Sequence, residues 1–142
     1  MSPDDLEKRI VNEIKARGYE DNYIDKSEQR EIVQIAIELG GTLEGALAAL
    51  AQVCDAFGYV LESRVLKQIR DQIETAAGND GRVDQKEFDL IFANVTRAVQ
   101  NKRNDREVKK MIVTVMEETG NNKVKKGWFR NWYATLKHDL GL

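Results

Sequence analysis

The sequence feature that most constrains the fold is an acidic turn between two amphipathic helices. The turn lies in the stretch TAAGNDGRVDQKEF, which runs from Thr75 to Phe88. The stretch therefore predicts a helix, a short polar turn and a second helix. Apolar residues recur at helical spacing on both sides of it, at Leu61, Val65, Ile69 and Ile73 before the turn and at Phe88, Ile91, Val95 and Val99 after it.

The acidic residues of this turn have the spacing of a calcium-binding loop. Such a loop has an acidic residue at its fifth position, glycine at the sixth, an aliphatic residue at the eighth, an oxygen side chain at the ninth and glutamate at the twelfth. The first and third positions fall on Ala76 and Gly78, which have no side-chain oxygen. Because calcium takes roughly six to eight oxygen ligands, we expect only weak binding. The matching residues are Asp80, Gly81, Val83, Asp84 and Glu87, of which Asp80, Asp84 and Glu87 are the candidate ligands.

The same plan occurs at three places in the chain. Positions 16–36, 76–95 and 118–136 each read as a helix, a glycine, a polar turn, an aliphatic residue and a helix. The spacing from the glycine to the aliphatic residue falls from six to five to four residues, so we expect turns that share a layout but differ in geometry. These pairs are Gly18 and Ile24, Gly78 and Val83, and Gly120 and Val124.

The first two copies also share their acidic residues, so two copies can hold a cation and the third cannot. Paired loops of this kind bring their aliphatic residues together in a short two-stranded contact. We therefore expect Ile24 to pair with Val83, or Val83 with Val124. The matching acids are Asp21, Asp25 and Glu28 in the first copy and Asp80, Asp84 and Glu87 in the second, where the third has Asn121, Lys125 and Trp128.

A second interpretation assigns these acids to helix ends alone. Asp84 can cap the following helix, and Glu87, three residues later, can accept the backbone N–H of the cap residue. The corresponding pair of the first copy can do the same. A cap does not require the additional acid at Asp80 or at its counterpart Asp21, and this residue favours the metal interpretation. Both interpretations stay open.

The remaining segments follow the helical period of about 3.6 residues rather than the strand period of two. Ser2 to Asp5 has the pattern of a helix start. Gly40 and Gly41 end one helix and Thr42 begins the next, for which we predict a central position with burial on more than one side. The fold is therefore predicted to be all-α, a compact bundle of about seven helices with three helix–loop–helix repeats, in a single domain spanning residues 1–142. The apolar stripe of the central helix is Leu43, Leu47, Leu50 and Cys54.

Charge and cysteine content restrict the setting and the partners. The net charge of −2 does not suit an electrostatic nucleic-acid binder, so no nucleic acid is expected. Cys54 is the only cysteine and lies in an apolar run, where we expect a small core residue in a reducing compartment. No apolar run approaches the roughly 20 residues that span a bilayer, and the N-terminus lacks an apolar signal region. We expect a cytoplasmic protein.

The sequence does not favour an enzyme. His138 is the only histidine and lies near the C-terminus, where we expect a surface residue. Cys54 has no neighbouring basic residue to lower its pKa. Glycine loops of the nucleotide-binding type and zinc-ligand spacings are also missing from the sequence.

The C-terminal segment, residues 121–142, combines five basic residues and one acidic residue with four aromatic residues. These aromatic residues either complete the core of the third repeat or form an exposed surface that contacts a membrane or a partner protein. The contact residues in the second case are Lys125, Lys126, Trp128, Arg130 and Trp132.

The stretch YEDNYIDKSEQREIVQIAIELGGTLEGALAAL, positions 19–50, resembles the repeat of TerB-like domains, the tellurite-resistance family. That repeat reads as a small residue, Asp, Gly, any residue, Ile or Val, two or three polar residues, Glu, an apolar helix and a Leu-Gly turn into another helix. Positions 77–95 repeat its first half. The chain departs from the pattern at Glu20 and Asn79, where the family favours Ala, and at Asn22, where it has Gly. The motif is also similar to degenerate EF-hand loops.

The resemblance implies a non-enzymatic binding or scaffolding module in a bacterial cytoplasm, with a role in stress response or in membrane-associated assemblies. It also implies that the six acids of the two turns are candidate metal contacts, and the ligand count given above makes weakly bound calcium the expected cofactor. One alternative is a calcium-responsive sensor in which filling of the loop opens the helix pair around Val83 and exposes an apolar groove. A second alternative is an adaptor that binds a membrane surface or a protein partner through the basic aromatic C-terminal helix.

Overall fold

The structure, a computed structural model, describes residues 3–78, 81–121 and 131–142. Within these ranges the chain forms seven α-helices and one sheet of two very short strands. The all-α prediction is confirmed. The backbone divides by its internal contacts into two units, Met1–Ser63 and Arg64–Leu142, which are described in turn.

The first unit contains three helices whose ends follow the predicted signals. The helix α3 begins after Thr42, whose hydroxyl accepts the N–H of Gly45 at 3.0 Å, and it ends at Gly58, which has a left-handed φ of 69°. Left-handed backbone geometry is the usual way to end a helix at glycine. In chain order the elements are α1 (Pro3–Gly18), β1 (Tyr23–Ile24), α2 (Lys26–Glu38), α3 (Leu43–Phe57) and β2 (Val60–Leu61).

The strands β1 and β2 pair in parallel, with Tyr23 opposite Val60 and Ile24 opposite Leu61. A parallel pair needs a long crossover connection, and α2 and α3 supply it. The predicted two-stranded contact of Ile24 therefore exists, but its partner is Leu61, so the pairing of Ile24 with Val83 was wrong. Leu61 was assigned to a helix because its spacing to the next apolar residue is helical. The alternative partner of Val83, at position 124, lies outside the described residues.

The core of the first unit lies between α1, α2 and α3, with β1 and β2 at one end. Cys54 is 1% exposed, which confirms its place as a small core residue. Two residues of the predicted α3 stripe, Leu43 and Leu47, are 53% and 40% exposed. The prediction of burial on more than one side of α3 was therefore wrong. The helices α1 and α2 cover only one side of α3, and that side carries Ala46, Leu50, Val53 and Cys54.

The second unit is built from helices in its described part. The helix α4 (Glu62–Ala77) begins just before the boundary between the units. The apolar residues predicted at helical spacing before and after the second acidic turn are buried. None of the helices in the described ranges is long and apolar enough to cross a bilayer. The other helices are α5 (Gln85–Ala98), α6 (Asp105–Glu118) and α7 (Trp132–Asp139).

Candidate functional site

The two acidic turns close with equivalent backbone hydrogen bonds. In the first turn the N–H of Asn22 donates to the carbonyl of Gly18 at 2.9 Å, and in the second the N–H of Gly81 donates to the carbonyl of Ala77 at 2.6 Å. Asn22 and Gly81 both have left-handed φ values, 55° and 71°. The residue equivalent to Gly18 is therefore Ala77, and the two turns have the same length. For these two turns the prediction of different spacing, which aligned Gly18 with Gly78, was wrong, and most of the third turn lies outside the described residues.

The glycine at position 18 is explained by packing rather than by the conformation of the turn. Gly18 has no left-handed φ, so the turn itself does not require glycine there. A Cβ at this position would lie 2.4 Å from the ring of Tyr59. A side chain at Gly18 would therefore require the Tyr59 ring or the end of α1 to move, whereas the second turn has a Cβ at Ala77.

Both acidic turns end in a reciprocal helix cap. At the start of α2, Asp25 Oδ1 accepts the N–H of Glu28 at 2.8 Å, and Glu28 Oε1 accepts the N–H of Asp25 at 3.1 Å. At the start of α5, the same two bonds join Asp84 and Glu87 at 2.7 and 3.0 Å. The capping interpretation of these four residues therefore describes their contacts in the structure.

A third cap has the same form without an acidic turn. At the start of α6, Asn104 Oδ1 accepts the N–H of Glu107 at 2.8 Å, and Glu107 Oε1 accepts the N–H of Asn104 at 3.2 Å. A neutral asparagine thus performs the capping role that aspartate has in the other two helices. The cap therefore does not require the negative charge of Asp25 or Asp84.

Asp21, the additional acid of the first turn, also has a structural contact. Its Oδ1 accepts the N–H of Tyr23 at 3.1 Å, which is the bond of an Asx turn. The sequence interpretation treated this acid as a sign of metal binding because a cap does not use it. The structure shows a second use for it. Its counterpart Asp80 lies outside the described residues.

Glu62, the first residue of α4, contacts the first turn, and the sequence analysis did not predict this contact. The fully buried Tyr23 donates its hydroxyl to Glu62 Oε2 at 2.5 Å, and the backbone N–H of Lys26 donates to Glu62 Oε1 at 3.3 Å. Lys26 is the first residue of α2, so a carboxylate from a distant part of the chain lies at a helix N-terminus, where negative charge is favourable. No local pattern in the sequence indicates this contact.

Negative charge is crowded at the first turn. Burial raises the pKa of the Glu28 carboxyl above its ordinary value of 4.5, and the nearby charges of Asp25 and Asp21 raise it further, while the hydrogen bond from the Asp25 backbone opposes them. A bound cation would relieve this repulsion. In the described ranges no group of three or more His, Cys, Asp and Glu side chains is arranged to hold a metal ion.

The predicted contact residues of the C-terminal segment fall on both sides of the described boundary. Trp132 is only 7% exposed, and its ring centroid lies 5.5 Å from that of Phe88. Tyr133, also buried, donates its hydroxyl to Glu117 at 2.9 Å. For these two aromatic residues the core alternative holds. Lys125, Lys126, Trp128 and Arg130 lie outside the described residues.

Each unit carries a surface groove that the sequence did not predict. The larger groove, of about 640 Å³, lies between α4 and α5, where Leu90 is 62% exposed. In the sequence, this exposure was indicated only by the position of Leu90 outside the apolar stripe predicted for α5. The smaller groove, of about 390 Å³, lies between α1 and α3 and is lined by Leu6, Ile10 and several glycine and alanine residues.

Comparisons of the chain with protein-family models, with curated proteins and with solved structures found no match. The resemblance to TerB-like domains therefore depends on the residues at positions 19–50 and 77–95.

Proposed function

We propose that this chain is a non-enzymatic helical binding and scaffolding module of the TerB type, with a role in bacterial stress response. Its helix surfaces bind a protein partner. Its acidic turns fix the starts of α2 and α5. They also bind a divalent cation such as calcium weakly, and this binding adjusts partner binding by the module.

The observation that carries this proposal is the exposure of leucines on otherwise well-packed helices. Leu43 and Leu47 lie one turn apart on α3 and are 53% and 40% exposed, and Leu90 on α5 is 62% exposed. Single exposed apolar residues are common, but apolar side chains that share a helix face or line a groove are typical of binding surfaces. These leucines are the natural contacts for a partner.

The capping geometry explains why cation binding is expected to be weak. At the first turn, Asp25 and Glu28 each commit one carboxylate oxygen to the cap. The second oxygen of each carboxylate is the one that a cation would use. Few side-chain oxygens are then available for an ion that takes roughly six to eight, so water must supply the remainder and affinity falls towards the millimolar range.

A calcium titration followed by amide NMR tests the proposal. Calcium at several millimolar is expected to shift the amides of residues 18–28, because the cation relieves the repulsion around Glu28, and to leave the α3 amides near Leu47 unchanged. Glu28→Gln, which can still accept the Asp25 N–H, should abolish these shifts. If the shifts persist in Glu28→Gln, the cation is not bound at this turn.

One observation favours the calcium-sensor alternative. Glu87 closes the cap at the start of α5 and also lines the groove between α4 and α5. A cation that draws Glu87 away would change the wall of the groove. The same titration separates the two functions, since a sensor requires amides along α4 and α5 to move at the calcium concentration that fills the turn, and movement confined to the turns excludes it.

A further inference from the structure

We propose that the groove between α4 and α5 binds an amphipathic helix of a partner protein, antiparallel to α4 and with acidic residues in its last turn. This inference depends on the proposed function as a binding module, and it names the surface and the chemistry of the partner. It does not require a cation.

The shape of the groove fits a helix of about three turns. One face of α4 lines it from Arg64 to Ala76, which at 1.5 Å per residue is a length of about 18 Å. The opposite wall comes from α5, between Glu87 and Asn94. Since both walls are helices, a helix in the groove is the natural occupant. The volume of about 640 Å³ accommodates several side chains of such an occupant.

The apolar part of the groove is on the α5 side. Ile91 is 3% exposed and lies beside Leu90, which is 62% exposed, and Ala76 contributes a small side chain from α4. Covering Leu90 removes apolar surface from water, so it supplies the main favourable contact. Leucines at helical spacing on the occupant would meet this part of the groove.

The groove is held in shape before any partner arrives. Asn94 on α5 donates its side-chain amide to Gln72 Oε1 on α4 at 3.0 Å. This bond joins the two walls and orients both amides. A preformed groove lowers the entropic cost of binding, because fewer side chains must be ordered in the complex.

The charges of the groove are divided along its length and give the orientation of the occupant. Arg64 and Lys67 lie at the start of α4, and Asp71 and Glu87 lie farther along. The C-terminus of a helix carries partial negative charge and the N-terminus partial positive charge. An occupant with its C-terminal turn beside Arg64 and Lys67 has its N-terminal turn near Glu87, so it runs antiparallel to α4.

The test uses two synthetic, end-capped helical peptides of about fourteen residues with leucines at helical spacing. The first has lysines in its first turn and glutamates in its last turn, and the second has these charges exchanged. Each is titrated into the full-length, isotope-labelled chain and followed by amide NMR. The first peptide is expected to shift the amides around Gln72 and Leu90 and to bind about tenfold more tightly than the second.

Two substitutions locate the site, each with a matched control. Leu90→Ala is expected to weaken binding of the first peptide about tenfold, whereas Ile37→Ala, at an exposed aliphatic residue on α2, leaves it unchanged. Lys67→Glu should remove the preference between the peptides, whereas Arg70→Glu makes the same charge change on α4 outside the groove and should preserve it. Circular dichroism of each variant checks that the helices are intact.

The outcomes separate this inference from the proposed function. Equal binding of the two peptides at the groove overturns the charge-directed orientation. Binding that shifts amides around Leu43 and Leu47 instead overturns the groove as the site but leaves a binding module. An absence of binding at peptide concentrations of about 1 mM overturns the groove proposal, and a calcium response spread along α4 and α5 would then replace the module with a sensor.

Discussion

At the scale of single residues, two glycines that look equivalent in the sequence have different roles. Gly18 ends α1 beneath the ring of Tyr59, where an added Cβ would lie 2.4 Å from the nearest ring atom. At Gly78 the nearest atom to an added Cβ is a backbone oxygen at 3.3 Å. Neither residue has a left-handed φ, so substitution by alanine tests space rather than backbone conformation.

Gly18→Ala is expected to destabilise the chain by about 1 kcal/mol or more, because the Tyr59 ring or the end of α1 must move. Gly78→Ala should cost less. Urea unfolding followed by circular dichroism measures both. In a Tyr59→Ala background the cost of Gly18→Ala should disappear, since the clashing ring is gone. A cost that persists in that background would contradict the packing explanation.

Glu28 gives a prediction about pH. Its folded-state pKa is raised above 4.5, so the folded chain holds this proton more tightly than the unfolded chain. The corresponding stability is fully present below the unfolded pKa and is lost as pH rises through the raised value. Glu28→Gln retains the cap and has no charge to bury.

The stability of Glu28→Gln relative to the wild type is therefore expected to increase between pH 4 and pH 7, measured as the shift of the urea midpoint. Glu107→Gln makes the same change in the α6 cap, where the partner is the neutral Asn104. It should show a smaller change with pH. An equal pH dependence in the two variants would remove the role assigned to Asp21 and Asp25.

At the scale of elements, the helices and their caps were predictable because they depend on residues within a few positions of one another. The start of α3 at Thr42 and the caps at Asp25 and Asp84 follow from local hydrogen bonding. A strand contact at Ile24 was predicted, but the strand β2 was not, because a two-residue strand is too short to show alternation. The partner of Ile24 and the contact of Glu62 depend on distant segments that a single sequence does not place together.

The helix α7 is attached to α6 by a contact of the same long-range kind. Tyr133 donates its hydroxyl to Glu117, and Lys137 Nζ lies 2.7 Å from the same carboxylate oxygen. Burial and the hydrogen bond to Glu117 raise the pKa of Tyr133 above its ordinary range. The stability from this proton is therefore present below the ordinary tyrosine pKa of about 10 and is lost only as pH rises through the raised value.

Tyr133→Phe is expected to lower the free energy of unfolding at pH 7 by about 1 kcal/mol, through loss of this hydrogen bond. It should also reduce the alkaline loss of stability. Tyr19→Phe is the matched control, since Tyr19 is 81% exposed, and it should change nothing. Thermal unfolding at pH 7 and at pH 10.5 gives both values. Equal stability of Tyr133→Phe and the wild type would show that the contact contributes nothing.

At the scale of the whole molecule, the question is whether the chain unfolds as one domain, as its length and composition predict. The structure divides into two units whose boundary, between residues 63 and 64, falls within the continuous helix α4. Both tryptophans, Trp128 and Trp132, follow residue 64 in the sequence, and Trp132 is buried in the second unit. Tryptophan fluorescence therefore reports on the second unit, while circular dichroism reports on the helices of both.

A core substitution in the first unit tests the one-domain prediction. Ile14 is fully buried there, so Ile14→Ala is expected to cost about 2–5 kcal/mol. In a single cooperative domain, this loss must lower the urea midpoint seen by tryptophan fluorescence as much as the midpoint seen by circular dichroism. Ile112→Ala, in the core of the second unit, should shift both signals whether or not the units are coupled through the unfolding transition. If Ile14→Ala leaves the fluorescence midpoint at the wild-type value while the circular dichroism curve splits into two steps, the two units are separate folding domains.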